Sequence, residues 1–187
     1  MSDTGIDTKV GTNAYYDTVQ FRGPYSFVTN QYDDIYICDS TGSDNNDFLG
    51  NRKVVALRPS AAGDDTDWTP SAGANYDAVN EVELDEDTTY VETSTTLDQD
   101  LYDYDALADV TNIQGIQINT EVRVTDAQSY DLNAVIKSGA TEDEGSEDTI
   151  TPTTFVTHTR IAETDPNTSS AWTLSNVNAA QFGIKAT

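Results

Sequence analysis

The chain has 187 residues, 33 acidic against 9 basic, with single His, Cys and Met residues and a net charge of −24. That length suits one domain able to bury a core of its own. One cysteine excludes an intrachain disulfide and, with one histidine, a Cys/His zinc site. No run reaches the roughly 18 apolar residues of a membrane span, and the opening Met1-Ser2-Asp3-Thr4 lacks the basic and apolar regions of a signal peptide, so a soluble chain made in the cytoplasm is expected. Charge of this sign repels phosphate, which disfavours nucleic acid as a partner.

Low hydrophobicity with high net charge is one signature of disorder. Ten Tyr, five Phe and two Trp, with many Val, Ile and Thr, are instead what a β core needs, and an ordered protein is expected. Adaptation to high salt accounts for the acid: carboxylates keep a surface hydrated while molar salt screens their repulsion to about 3 Å. The charge is uneven. Residues 59–122 carry sixteen acids and no base, so this stretch is expected to face solvent. Five bases lie before it, Lys9, Arg22, Arg52, Lys53 and Arg58, and mark the side that docks at least electrostatic cost.

In chain order, residues 1–25 lack regular alternation and read as an N-terminal docking arm ahead of a domain over 26–187. Strands are expected at 26–30, 34–38 and 53–57, the last buried and ended by Pro59. Residues 40–46 and 63–73 read as polar loops. Short strands follow at 81–84 and 89–93, with Asp85-Glu86-Asp87 as the turn between them. Over 113–124, Ile116, Ile118, Val122 and Val124 alternate with polar residues, the pattern of a half-buried antiparallel strand. Strands at 132–137 and 153–161 flank a charged loop tip at 138–148. One or two helical turns at 175–182 precede a closing strand at 183–186. Nine or ten strands with almost no helical periodicity predict an all-β, antiparallel, jelly-roll-like β-sandwich.

No residue set points to a reaction. Asp85-Glu86-Asp87 and the acids Asp98, Asp100, Asp103 and Asp105 offer hard oxygen ligands for a structural Ca²⁺ or Mg²⁺, and the stretch 39–47 has the look of a calcium loop but fails the spacing of an EF-hand, so solvated surface is the simpler reading. No cofactor is expected. Carboxylate pairs at glycosidase spacing arise by chance among 33 acids. His158 lies in a strand pattern and Cys38 closes an apolar run, positions that suit structure better than catalysis. Asn167-Thr168-Ser169 matches a glycosylation triplet that is common by chance. Trp68, Tyr76, Tyr90, Tyr102 and Tyr104 fall in the acidic stretch and can serve as core or subunit contacts or as a glycan-stacking platform.

An ordered series of short motifs carries a resemblance. Val54-Val55-Ala56-Leu57-Arg58-Pro59 precedes a Gly/Asp loop and Trp68-Thr69-Pro70-Ser71-Ala72-Gly73-Ala74-Asn75-Tyr76. Then come Val79-Asn80-Glu81, Asp87-Thr88-Thr89-Tyr90-Val91, Ile113-Gln114-Gly115-Ile116-Gln117, Ile136-Lys137-Ser138-Gly139, Asp165-Pro166-Asn167-Thr168, Ala171-Trp172-Thr173 and Phe182-Gly183-Ile184-Lys185. Over roughly residues 30–187 the series resembles virion structural proteins of tailed viruses (tail-fibre, head-fibre, turret or decoration proteins). With the acidity, it resembles a protein of a tailed virus of a haloarchaeon. The resemblance implies a jelly-roll-like sandwich, no enzymatic activity, a place on the particle surface after synthesis in the host cytoplasm, and homo-oligomers, trimer or pentamer, among other virion proteins. It supplies no catalytic residue. A carbohydrate-binding module that recognises host surface glycans is the alternative, and an extracellular hydrolase of a halophile a weaker third.

Overall fold

The computed structural model describes residues 34–37, 43–151 and 153–187. The docking arm at 1–25, the strand expected at 26–30 and Cys38 lie outside the described residues. The chain divides into two compact units, Met1–Tyr36 with Arg52–Val54, and Ile37–Asn51 with Val55–Thr187. In the first, the Val54 amide donates to the Asp34 carboxylate at 2.8 Å.

The second unit holds the sandwich. Its strands are β1 (Pro59–Thr66), β2 (Thr69–Pro70), β3 (Val91–Glu92), β4 (Gln99–Tyr104), β5 (Ile116–Val122), β6 (Tyr130–Ser138), β7 (Thr141–Asp143), β8 (Glu147–Ile150), β9 (Val156–Ala162), β10 (Thr164–Asp165), β11 (Ser170–Ala171) and β12 (Gln181–Ala186). Among the described residues a 3-10 turn, Asn75–Val79, and one helix, α1 (Leu174–Ala179), accompany them. The Thr173 hydroxyl caps α1 by accepting the Asn176 amide at 3.1 Å.

All the pairings are antiparallel. The large sheet runs β1-β4-β12-β6-β7, and β8 pairs with Tyr130–Asn133 on the same edge of β6. Strands β5 and β9 form the facing layer, and β10–β11 and β2–β3 are short ribbons. The antiparallel sandwich expected from the sequence is present.

Register explains the core. Phe182 lies opposite Ile136 and Tyr102, and Ile184 opposite Ala134 and Asp100, so these residues share one face of the large sheet. At one end of that face Ile136 and Phe182 pack with Trp172, Val177 and Ala180, and Ile116, Ile118 and Ala162 of the facing layer close over them. Tyr104 meets Phe182 edge-on at 5.5 Å. At the other end Leu132 and Ile150 pack with Val124, Val122, Ile184 and Trp68. Each fully buried side chain of this size contributes about 1.5–3 kcal/mol.

The two layers are also joined by ions. Strand β6 has a gap in its ladder between the segments paired by β8 and β7. The Arg160 guanidinium of β9 fills it, donating to the carbonyl of Ala134 and, at 2.7 Å, to that of Asp143, and pairing with the Asp143 carboxylate at 2.8 Å. Nδ1 of His158 lies 3.5 Å from the Asp148 carboxylate of β8.

Several expectations are corrected. Residues 53–57 are not a buried strand: Val54 and Val55 are exposed, and the run joins no sheet among the described residues. Pro59 opens β1 rather than ending a strand. The expected loop at 63–73 is mostly strand, because β1 bulges between Ala62 and Thr66 instead of stopping. The bulge brings Asp64 to Lys137 at 2.7 Å and to Gln181, and Asp65 to Gln99. No strand forms at 81–84, and that expected at 89–93 shrinks to β3. The loop tip at 138–148 is a hairpin, β7 continuing into β8.

The largest correction is β4. Its acids suggested solvent, yet Gln99–Tyr102 are all buried and β4 lies inside the large sheet. Burial of Asp100 is tolerated because three donors satisfy its carboxylate. The Trp68 amide reaches it at 2.9 Å, the Asn75 side chain at 2.6 Å and the Tyr102 hydroxyl at 2.8 Å. Among the described residues no buried side-chain N or O lacks a partner.

Candidate interaction surfaces

The five aromatics do not converge on one exposed platform. Tyr102 is 4% exposed and its hydroxyl serves Asp100, which leaves its ring no face for a ligand. Tyr104 is half-buried against Phe182. Trp68 leans on the second core cluster, and its indole N–H donates to the Asp98 carbonyl at 3.1 Å. Tyr76 is half-buried on the 3-10 turn, and Tyr90 is half-buried where its backbone exchanges bonds with Ser71 beside the β2–β3 ribbon.

Burial raises the phenol pKa of Tyr104 to about 12. It pushes that of Tyr102 higher, helped by the charge of Asp100. Both therefore stay neutral.

Of the five bases, Lys9 and Arg22 lie outside the described residues. Arg52 and Lys53 are exposed. Arg58 is half-buried and donates to the Glu81 carbonyl at 3.1 Å. The other cations brace the sandwich. Arg123 pairs with Asp87 and lies 5.0 Å over the Phe155 ring. Lys185 pairs with Glu144.

The acidic clusters stay apart. Among the described residues no group of three or more His, Cys, Asp or Glu side chains is placed to hold a metal ion. Asp85 accepts from Thr89, and Asp103 and Asp105 are exposed, whereas Asp100 is engaged inside. Asp165 is a second buried acid, at the Asp165-Pro166-Asn167-Thr168 turn. Burial works to raise its pKa. The side chains of Ser138, Asn176 and Thr168 and the Asn167 amide outweigh that and hold it below the ordinary value.

Sequence reasoning passed over one surface, the outer face of the β5–β9 layer. Register pairs Gln117 with Ile161, Asn119 with Thr159, and Glu121 with Thr157. The Asn119 side-chain oxygen accepts from Gln117 at 2.8 Å and from Thr159 at 3.2 Å, and the Thr157 hydroxyl donates to Glu121. Ile161 is 66% exposed beside them. Glu121 is the one charged residue on this face. The signal in the sequence was the alternation at 116–122 together with Thr157 and Thr159, but only register shows that the two runs share a face. Elsewhere on the sandwich, Val82, Leu84 and Leu97 are also exposed, Val82 at 79%.

Among the described residues no helix is long and apolar enough to cross a membrane. Neither protein-family models, nor curated proteins, nor solved structures yield a match to this chain.

Proposed function

We propose that this chain is a non-enzymatic structural protein on the outside of a tailed-virus particle with a halophilic host, and that it works by assembling with copies of itself and with other particle proteins. The observation that carries this reading is a strongly acidic sandwich that still leaves large apolar side chains, Val82, Leu84 and Ile161, in solvent. An isolated acidic protein gains solubility from its charge and nothing from such residues, whereas an assembling one buries them between subunits. The motif series along the chain supplies the viral context, and the charge supplies the saline one. Trimers or pentamers suit an appendage on a symmetry axis.

Mass photometry in about 3 M salt tests the assembly, since a strict monomer at all concentrations overturns it. Mass spectrometry of surface-labelled particles tests the location, and absence of labelled peptides overturns an exterior position. Recognition of a host glycan through Trp68, Tyr76 and Tyr90 is compatible with the same body, and a glycan array at high salt tests it.

A further inference from the structure

Strands β5 and β9 pair only with each other among the described residues, so each keeps one edge without a ladder partner. Open edges recruit other chains, and proteins usually blunt them with proline, bulges or charge. Strand β1, at the rim of the large sheet, carries all three: it opens on Pro59, shifts register twice and bears Asp64 and Asp65. The β5–β9 layer has neither proline nor bulge and little charge. Its register runs unbroken from Ile116 opposite Ala162 to Val122 opposite Val156, with no Pro or Gly. Its charged residues are Glu121, Arg160 and His158 when protonated, and the last two are turned toward Asp143 and Asp148 of the large sheet.

Electrostatics selects this layer as the meeting place. Two copies at −24 repel each other over most of their surfaces. Contact costs least where each copy brings least charge, and the outer face of β5 and β9 carries Glu121 alone, with Arg160 already paired to Asp143. The strands are also complementary, since Asn119 with Thr159 and Glu121 with Thr157 already bond across their shared ladder.

We infer that the free edge of β9 in one copy pairs with the free edge of β5 in a second copy. The pairing is head-to-tail and antiparallel, and it repeats the side-chain matches made within each chain. Such a contact is heterologous, and repeated around an axis it closes a ring. It deepens the assembly reading by naming the surface and the partner.

The test uses the full chain in about 3 M salt. Thr159→Lys places a charge on the exposed face of β9 while reducing the net negative charge. If general repulsion alone limits association, this variant associates more strongly than wild type. Edge pairing requires the reverse, a shift to monomer. Thr96→Lys, at the exposed turn before β4, makes the same change in charge away from the edge and keeps the wild-type oligomer. A Thr159→Lys variant that is folded by circular dichroism yet assembles as wild type does overturns the edge pairing and leaves assembly through another surface standing. A monomeric wild type overturns both. Cross-linking decides orientation independently of that variant's folding. In a Cys38→Ser background, Thr159→Cys and Asn119→Cys chains give a disulfide-linked dimer when mixed. Linkage of Thr159→Cys chains to one another overturns the head-to-tail pairing, as does an unlinked mixture.

Discussion

The Asp100 carboxylate accepts the Tyr102 hydroxyl at 2.8 Å, two residues along the same strand and on the same face of the sheet, and Asp100 has no exposure at all. A strand's period of two places both side chains in the interior, where each satisfies the other. With the Trp68 amide and Asn75 as further donors, the carboxylate ties the 68–75 segment to β4.

Asp100→Ala strands those three donors. A cost of about 3 kcal/mol or more is expected from the loss of a buried charged acceptor. Tyr102→Phe removes one donor and costs about 1 kcal/mol. Urea unfolding of both variants checks the ranking, and equal midpoints would refute it.

Gly183 is fixed by the same strand. A Cβ built on it would lie 1.8 Å from the Asp100 carbonyl oxygen, a backbone atom that cannot swing aside. Gly183→Ala is therefore expected to destabilise by more than about 4 kcal/mol or to prevent folding. Far-UV circular dichroism and yield of soluble protein measure this. A Gly115→Ala control, whose Cβ would meet Ala162 at an ordinary 3.4 Å, should fold.

Acid weakens the fold through Asp165. Its folded pKa lies below the ordinary 3.8, so its contribution is fully present above that value and drains away as pH falls through the lower, folded one. Melting temperature should fall with pH in this window, and Asp165→Asn should start lower at pH 7 and flatten the decline. An unchanged pH profile in the variant would assign the acid sensitivity to other carboxylates.

Alkali acts through the buried phenols. With Tyr104 at about 12 and Tyr102 above it, both add stability that is intact below pH 10 and is lost as pH rises through their folded values. Ultraviolet titration near pH 11 should ionise exposed tyrosines and spare these two until denaturant is added. Full ionisation in the native state would contradict their burial.

Salt sets the working range. Screening lengths grow from about 3 Å at 1 M salt to about 10 Å at 0.1 M, so the exposed acids begin to repel one another on dilution. Melting temperature is expected to drop between about 3 M and 0.1 M sodium chloride. A flat profile would contradict a saline origin for the acidity.

Composition and period alone determined that this is a β protein, that its strands are short and antiparallel, and where β5, β6, β9 and β12 lie, because alternation and β-branched residues are local properties. The helical turn near the end was legible for the same reason. The place of β4 was not. Asp98, Asp100, Asp103 and Asp105 read as solvent-facing, and only the arrival of Trp68 and Asn75 from another part of the chain, beside the Tyr102 hydroxyl of the same strand, makes a buried carboxylate stable. Residues 53–57 erred the other way: their composition is that of a core strand, but a strand needs a neighbour, and no local rule supplies one. The candidate contact surface followed the same division. Gln117, Asn119, Thr157 and Thr159 were visible as polar residues of two separate runs. The register of β5 on β9 put them on one face with Glu121 as its single charge, and among the described residues the sheet order left its two edges open.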